Sequence, residues 1–149
     1  MQCIEVPEPI KLWEPKVNQF DVTTVTPELN LELNKGSDLA ELFVKALSDQ
    51  RTLTDALVNS VGLRLHGAAG GQIVDVIRPT AWARLQNQNR QDQGGIAPAV
   101  GYAWLSFVKD GRASGLIGTR DLSKIVAVLD VAGAANNRVR IYQRTVSLL

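Results

Sequence analysis

From Val100 onward this chain favours extended backbone almost throughout, and one dipeptide, Asp110-Gly111, says where it turns. Val100 to Lys109 is rich in aromatic and aliphatic residues, and Arg112 to Thr119 runs back from it. An Asp-Gly pair between two such runs is a strong signal for a tight hairpin. Gly115 and Gly118 weaken the returning limb and mark bulges. Arg138 to Leu149 reads as a final strand. A chain whose second half is committed to antiparallel pairing must bury one face of that sheet against its first half.

The first half reads differently. Over residues 1–35, Pro7, Pro9, Pro15 and Pro27 break regular structure and favour extended backbone before each of them. Trp13 and Phe20 are large apolar groups with few local partners, so this segment is expected to be an arm that packs on the body or on another subunit. Leu29, Leu31 and Leu33 alternate with polar residues, which favours a strand over a helix starting at Thr26-Pro27-Glu28. Leu39, Leu42, Phe43, Ala46 and Leu47 follow helical spacing, with Ser37 as cap and Asp38 and Glu41 near the positive end of the dipole. A second short helix is expected after Thr52-Leu53-Thr54-Asp55, ending at Gly62, so that 37–62 forms a helical hairpin. Ile73 to Ile77 is a strand by its β-branched content. A short helix through Trp82 and Leu85 then runs into the amide-rich tract 86–95, whose backbone is solvated or partner-bound and which is expected to be an exposed loop or a frayed helix end. The run Ile125 to Val131 fits a helix or a strand equally well. The expected fold class is α+β: an extended N-terminal arm over 1–35, then a single α+β domain over 36–149 with a helical hairpin and a mostly antiparallel β-sheet.

Composition excludes several chemistries. The chain of 149 residues holds one cysteine, Cys3, and one histidine, His66, so neither an internal disulfide nor a thiol- or histidine-rich zinc site can be built from it. Cys3 has no basic neighbour to make it a nucleophile. No metal or other cofactor is implied. No stretch approaches the roughly 18–20 apolar residues of a membrane helix, and the first residues lack a basic region followed by an apolar run. A soluble protein in the cytoplasm or a virion is expected, with no membrane partner.

Catalytic constellations are weak. His66-Gly67-Ala68-Ala69-Gly70-Gly71 resembles an oxyanion-hole segment, but Gly111-Arg112-Ala113-Ser114-Gly115 spaces its serine wrongly for a nucleophile elbow. The same glycines precede a strand rather than follow one, which is wrong for a phosphate loop. Asp75 and Asp130 lie in apolar strands and would do acid–base work only if paired; the plain reading puts each on a solvent face. No catalytic residue is assigned, and the chain is read as a non-enzyme.

Charge is distributed more informatively. After Glu41 come 108 residues without a glutamate; residues 1–74 carry six basic and ten acidic groups, residues 75–149 ten and five. On the last strand Arg138, Arg140, Tyr142 and Arg144 share one face at period two. Such a face can be plainly solvated, kept soluble by its arginines, but arginines flanking an aromatic ring also suit phosphate and base, or an acidic partner subunit; Arg84 and Arg90, among amides, are candidates for the same contact. An isoelectric point of about 7.9 falls short of the roughly 9 usual for a dedicated nucleic-acid binder. The favoured reading is a self-assembling structural protein, of the kind that serves as a small virion or capsid subunit. Its arm would contact neighbours through Trp13 and Phe20, and its partner is itself. A nucleic-acid-binding module using the arginine-rich half is the alternative.

Overall fold

Leu42, Val44 and Ala46 are buried, while Glu41, Phe43 and Lys45, which alternate with them, are half-exposed. That period-two alternation is a strand's, not a helix's, and it sets the architecture. The structure, a computed structural model, describes residues 11–22, 26–36, 38–68, 71–107, 116–132 and 136–148; for 11–17, 22, 74 and 146–148 it describes the backbone only. The described residues form strands β1 (Lys11–Val22), β2 (Thr26–Leu33), β3 (Asp38–Ser48), β4 (Thr52–Leu53), β5 (Val58–Gly67) and β6 (Ile73–Ala81), helix α1 (Trp82–Asp92), then β7 (Tyr102–Ser106), β8 (Leu122–Val131) and β9 (Asn137–Leu148).

The strands make two sheets. The first runs β1-β9-β3, with β4 and β7 both pairing β3; the second runs β2-β8-β5-β6. All the strand pairs are antiparallel. The chain crosses between sheets repeatedly, so β1 pairs with β9 and β2 with β8. A five-strand layer and a four-strand layer wound in this way are a jelly roll. The core lies between them and is aliphatic, as the sparse aromatics lead one to expect: Leu42, Val44 and Ile141 from the first sheet meet Leu63, Ile125 and Leu129 from the second.

This corrects the α+β expectation. There is no helical hairpin over 37–62: Asp38–Ser48 and Val58–Gly67 are strands in different sheets. The physical cause is a bulge. The β3–β9 register shifts between Leu39 and Glu41. One extra residue in a strand turns a spacing of two into a spacing of three. Leu39 and Leu42 therefore both reach the core, and their separation imitates a helical turn. Gly62, expected to end a helix, lies mid-strand. A Cβ there would meet the Ile77 carbonyl oxygen and the Pro79 nitrogen at 3.0 Å, so glycine lets β6 bend close over β5.

Other expectations resolve directly. Leu29, Leu31 and Leu33 lie on β2 as a strand, and Ile125 to Val131 lies on β8. The amide tract begins as helix rather than loop: α1 continues to Asp92, with Trp82, Leu85 and Asn89 buried on one face. Its N-cap is Ala81, with no side-chain cap bond. The Asp110-Gly111 turn and Ser37 lie outside the described residues.

Candidate functional site

The clearest candidate surface is the outer face of the first sheet, built by strand register. On β9, Val139, Ile141 and Gln143 point inward and are buried. Arg138, Arg140, Tyr142 and Arg144 alternate with them and therefore point outward. Register then adds neighbours on the same face. Tyr142 stands opposite Phe43 on β3, and Phe43 opposite Trp104 on β7. Arg140 stands opposite Lys45, and Lys45 opposite Tyr102.

Two rows result. The aromatic row is Tyr142, Phe43 and Trp104; the last two rings pack with centroids 5.5 Å apart and planes tilted by 34°. The basic row runs from Gln19 through Arg140 and Lys45 to Tyr102. Arg140 Nε donates to Gln19 Oε1 at 2.8 Å, and Lys45 Nζ lies 5.6 Å from the Tyr102 ring centroid. The flanking arginines are ion-paired: Arg138 Nε lies 2.8 Å from Asp21 Oδ1, and Arg144 Nη1 3.3 Å from Glu41 Oε2.

The structure thus brings together four of the residues that sequence reasoning selected. Arg84 and Arg90 are not among them. They are exposed on α1, which packs on β7, β5 and β6, while β9 lies across β3 from β7. Arg90 Nε donates to its own loop, to Gly95 O at 3.3 Å. Phe20, on β1 opposite Val139, packs against the protein's own core. Trp13 stands opposite Val146 on the same strand pair, and its side chain lies outside the described residues. Sequence reasoning missed Phe43 and Lys45, because the helical reading of 37–62 separates them from β9.

Helix α1 holds the β7 edge of this surface. Asn89 is buried; its Nδ2 donates to Trp104 O at 2.8 Å, and its Oδ1 accepts the Trp104 N–H at 3.0 Å. The start of the helix is fastened by Asp55, whose Oδ1 accepts from Trp82 Nε1 at 3.1 Å, Gln86 Nε2 at 2.8 Å and Gly101 N at 2.8 Å. Burial raises the pKa of this carboxyl, but the three hydrogen bonds outweigh it and hold the group below its ordinary value. Gly101 adopts a φ of +83°, and a Cβ there would meet Ala46 O and Thr54 N at 3.0 Å, so glycine is required where that loop presses on β3.

The weaker catalytic candidates are dispersed. Asp75 is exposed on β6 and its Oδ1 accepts the N–H of Val76 at 2.8 Å. Asp130 lies on β8, on the other side of β5, and accepts from Asn59 Nδ2 at 3.5 Å. The two carboxylates face different neighbours along β5, Leu65 and Ser60, and do not form a pair. His66 Nδ1 lies 3.0 Å from Gly71 O. Cys3 and Ser114 lie outside the described residues. No group of three or more metal-ligating side chains occurs among the described residues, and no helix among them is long and apolar enough to cross a membrane.

No protein-family model matches the chain, and no curated protein does. Solved structures do. The chain is similar to the major capsid protein of Sulfolobus turreted icosahedral virus, with a TM-score of 0.71 and 18% identity over 95% of this chain and 43% of that one. It is similar to the capsid of the virus PBCV-1, at 0.61 and 15% identity over 93% and 48%. A third likeness is to the major capsid protein of bacteriophage PM2, at 0.57 and 13% over 89% and 51%. The chain spans about half or less of the length of each. At these identities the likeness is one of fold, and the neighbours in fold are viral major capsid proteins.

Proposed function

We propose that this protein is a non-enzymatic structural subunit that associates with copies of itself in a virion. The carrying observation is that nearly the whole chain superposes on part of a viral major capsid protein, at a TM-score of 0.71 over 95% of its length. Jelly rolls also serve lectins and enzymes, and a fold does not by itself carry function. The handling of the sheet edges supports the structural reading. β6 carries Pro79, which has no N–H, and Asp75 occupies the Val76 N–H with its own carboxylate. β1 carries Pro15, and Asn89 covers Trp104 on β7. With the β1, β6 and β7 edges guarded in this way against indiscriminate strand pairing, the subunit meets its neighbours through side chains on its faces, which makes assembly specific rather than fibrillar.

Size-exclusion chromatography with light scattering tests this. A mass that rises in steps with protein concentration is expected. A strict monomer at high concentration across a range of salt overturns it. A nucleic-acid partner is a separate reading that rests on the two rows of the first sheet, not on the fold.

A further inference from the structure

Lys45 and Arg140 are cross-strand partners, directly opposite on the outer face of the first sheet. Like charges so placed destabilise a sheet. Neither has an acid in its row: the neighbours are Gln19, which accepts from Arg140 at 2.8 Å, and Tyr102, over whose ring Lys45 lies. By contrast the arginines on either side, Arg138 and Arg144, each have a carboxylate in contact. Among the described side chains, this face presents four cations (Lys45, Arg138, Arg140 and Arg144) and three acids (Asp21, Asp38 and Glu41), and the two cations without an acid in contact form one cross-strand pair. Beside that pair runs the aromatic row Tyr142, Phe43 and Trp104, all half-exposed.

We infer that this face binds single-stranded nucleic acid, with phosphates on the Lys45–Arg140 row and bases on the aromatic row. One partner chemistry accounts for both rows. A polyanion relieves the like-charge pair, and unpaired bases have π-faces that stack on rings irrespective of sequence. A sheet whose central strands carry exposed aromatics flanked by cations is a known solution to single-strand recognition. A duplex offers the phosphates but hides the base faces. An acidic surface of a second copy would satisfy the cations and leave the aromatic row unexplained.

The test uses fluorescent 20-mers of dT and rU and a duplex of equal length, at about 50 mM salt, where phosphate contacts dominate. The single strands are expected to bind and the duplex to bind more weakly. The double variant K45E/R140E is expected to lose at least about tenfold in affinity, and its salt slope to fall by about 1.4, the value for two phosphates on a single strand. Tyr142→Ala, which leaves charge unchanged, is expected to weaken binding about tenfold. The double variant R84E/R90E makes the same charge change on α1 and is expected to leave binding within about twofold of wild type. Thermal unfolding establishes that each variant is folded. Absence of binding by the wild type overturns the inference, as does equal loss in the two double variants, which marks general attraction rather than a site. It is also overturned if K45E/R140E lowers the native mass of nuclease-treated protein, since a second copy then holds the face.

Discussion

Asn89 and Trp104 meet as two strands would: a helix side chain donates to the Trp104 carbonyl at 2.8 Å and accepts its N–H at 3.0 Å. The amide thus supplies the ladder rung that β7 lacks on its outer edge. This closes an edge that would otherwise recruit other chains and fixes the strand that carries Trp104 and Tyr102 into the outer face.

Replacing Asn89 by Ala leaves a buried donor and a buried acceptor unpaired. A loss of about 2–4 kcal/mol in unfolding free energy is expected from such a change, read by urea titration. Asn89→Asp keeps the acceptor but sets a carboxylate against the Trp104 carbonyl, and is expected to be no better than Ala.

Gln143 makes the corresponding link between sheets. Its side chain is fully buried on β9, accepts from Asn34 N at 2.9 Å and Asn18 Nδ2 at 3.1 Å, and donates to Asn34 O at 2.8 Å. Gln143→Leu keeps the volume and loses all three bonds. About 2–3 kcal/mol of destabilisation is expected from the groups left unpaired, again by urea titration.

Asp55 predicts the response to acid. Burial pushes its carboxyl up, while the Gly101 N–H, the Trp82 indole and the Gln86 amide pull it down further, so the folded value lies below the ordinary one. A depressed carboxylate contributes stability above its unfolded value, near about 3.9, and that contribution is lost as pH falls through the folded value. The urea midpoint of the wild type should therefore drop on acidification below about pH 5 more steeply than that of Asp55→Asn, whose midpoint is already lower at neutral pH. Parallel curves for the two proteins would refute the assignment.

The turn between β3 and β4 holds Asp49 and Gln50 at φ of 49° and 59°, closed by a bond from Arg51 N to Ser48 O at 3.1 Å. Left-handed backbone costs a non-glycine residue roughly 1–2 kcal/mol, partly offset by the larger entropy of glycine in the unfolded chain. Gln50→Gly is expected to raise the unfolding free energy by about 0.5–1 kcal/mol.

Strands rich in β-branched or aromatic residues were legible in the sequence: Ile73 to Ile77, the aromatic stretch before Ser106, and Arg138 onward are where the local pattern puts them. So was the outward face of β9, because period two needs no knowledge of partners. The hairpin of helices was misread because the bulge at Leu39–Glu41 imitates a helical turn. That error removed Phe43 and Lys45 from the site. Pairings such as β1 with β9 join opposite ends of the chain, and no local pattern encodes them. Arg84 and Arg90 were grouped with the β9 arginines on residue type alone; the helix that bears them sits on β7, and its buried Asn89 gave no signal within a run of amides.

The most direct test of the account is the native mass of the purified protein, measured with and without nuclease. Subunits that assemble through their own faces keep a mass several times that of one chain after nuclease treatment. A particle that falls to single chains once nucleic acid is removed, or is a single chain from the outset, contradicts self-assembly as the protein's role.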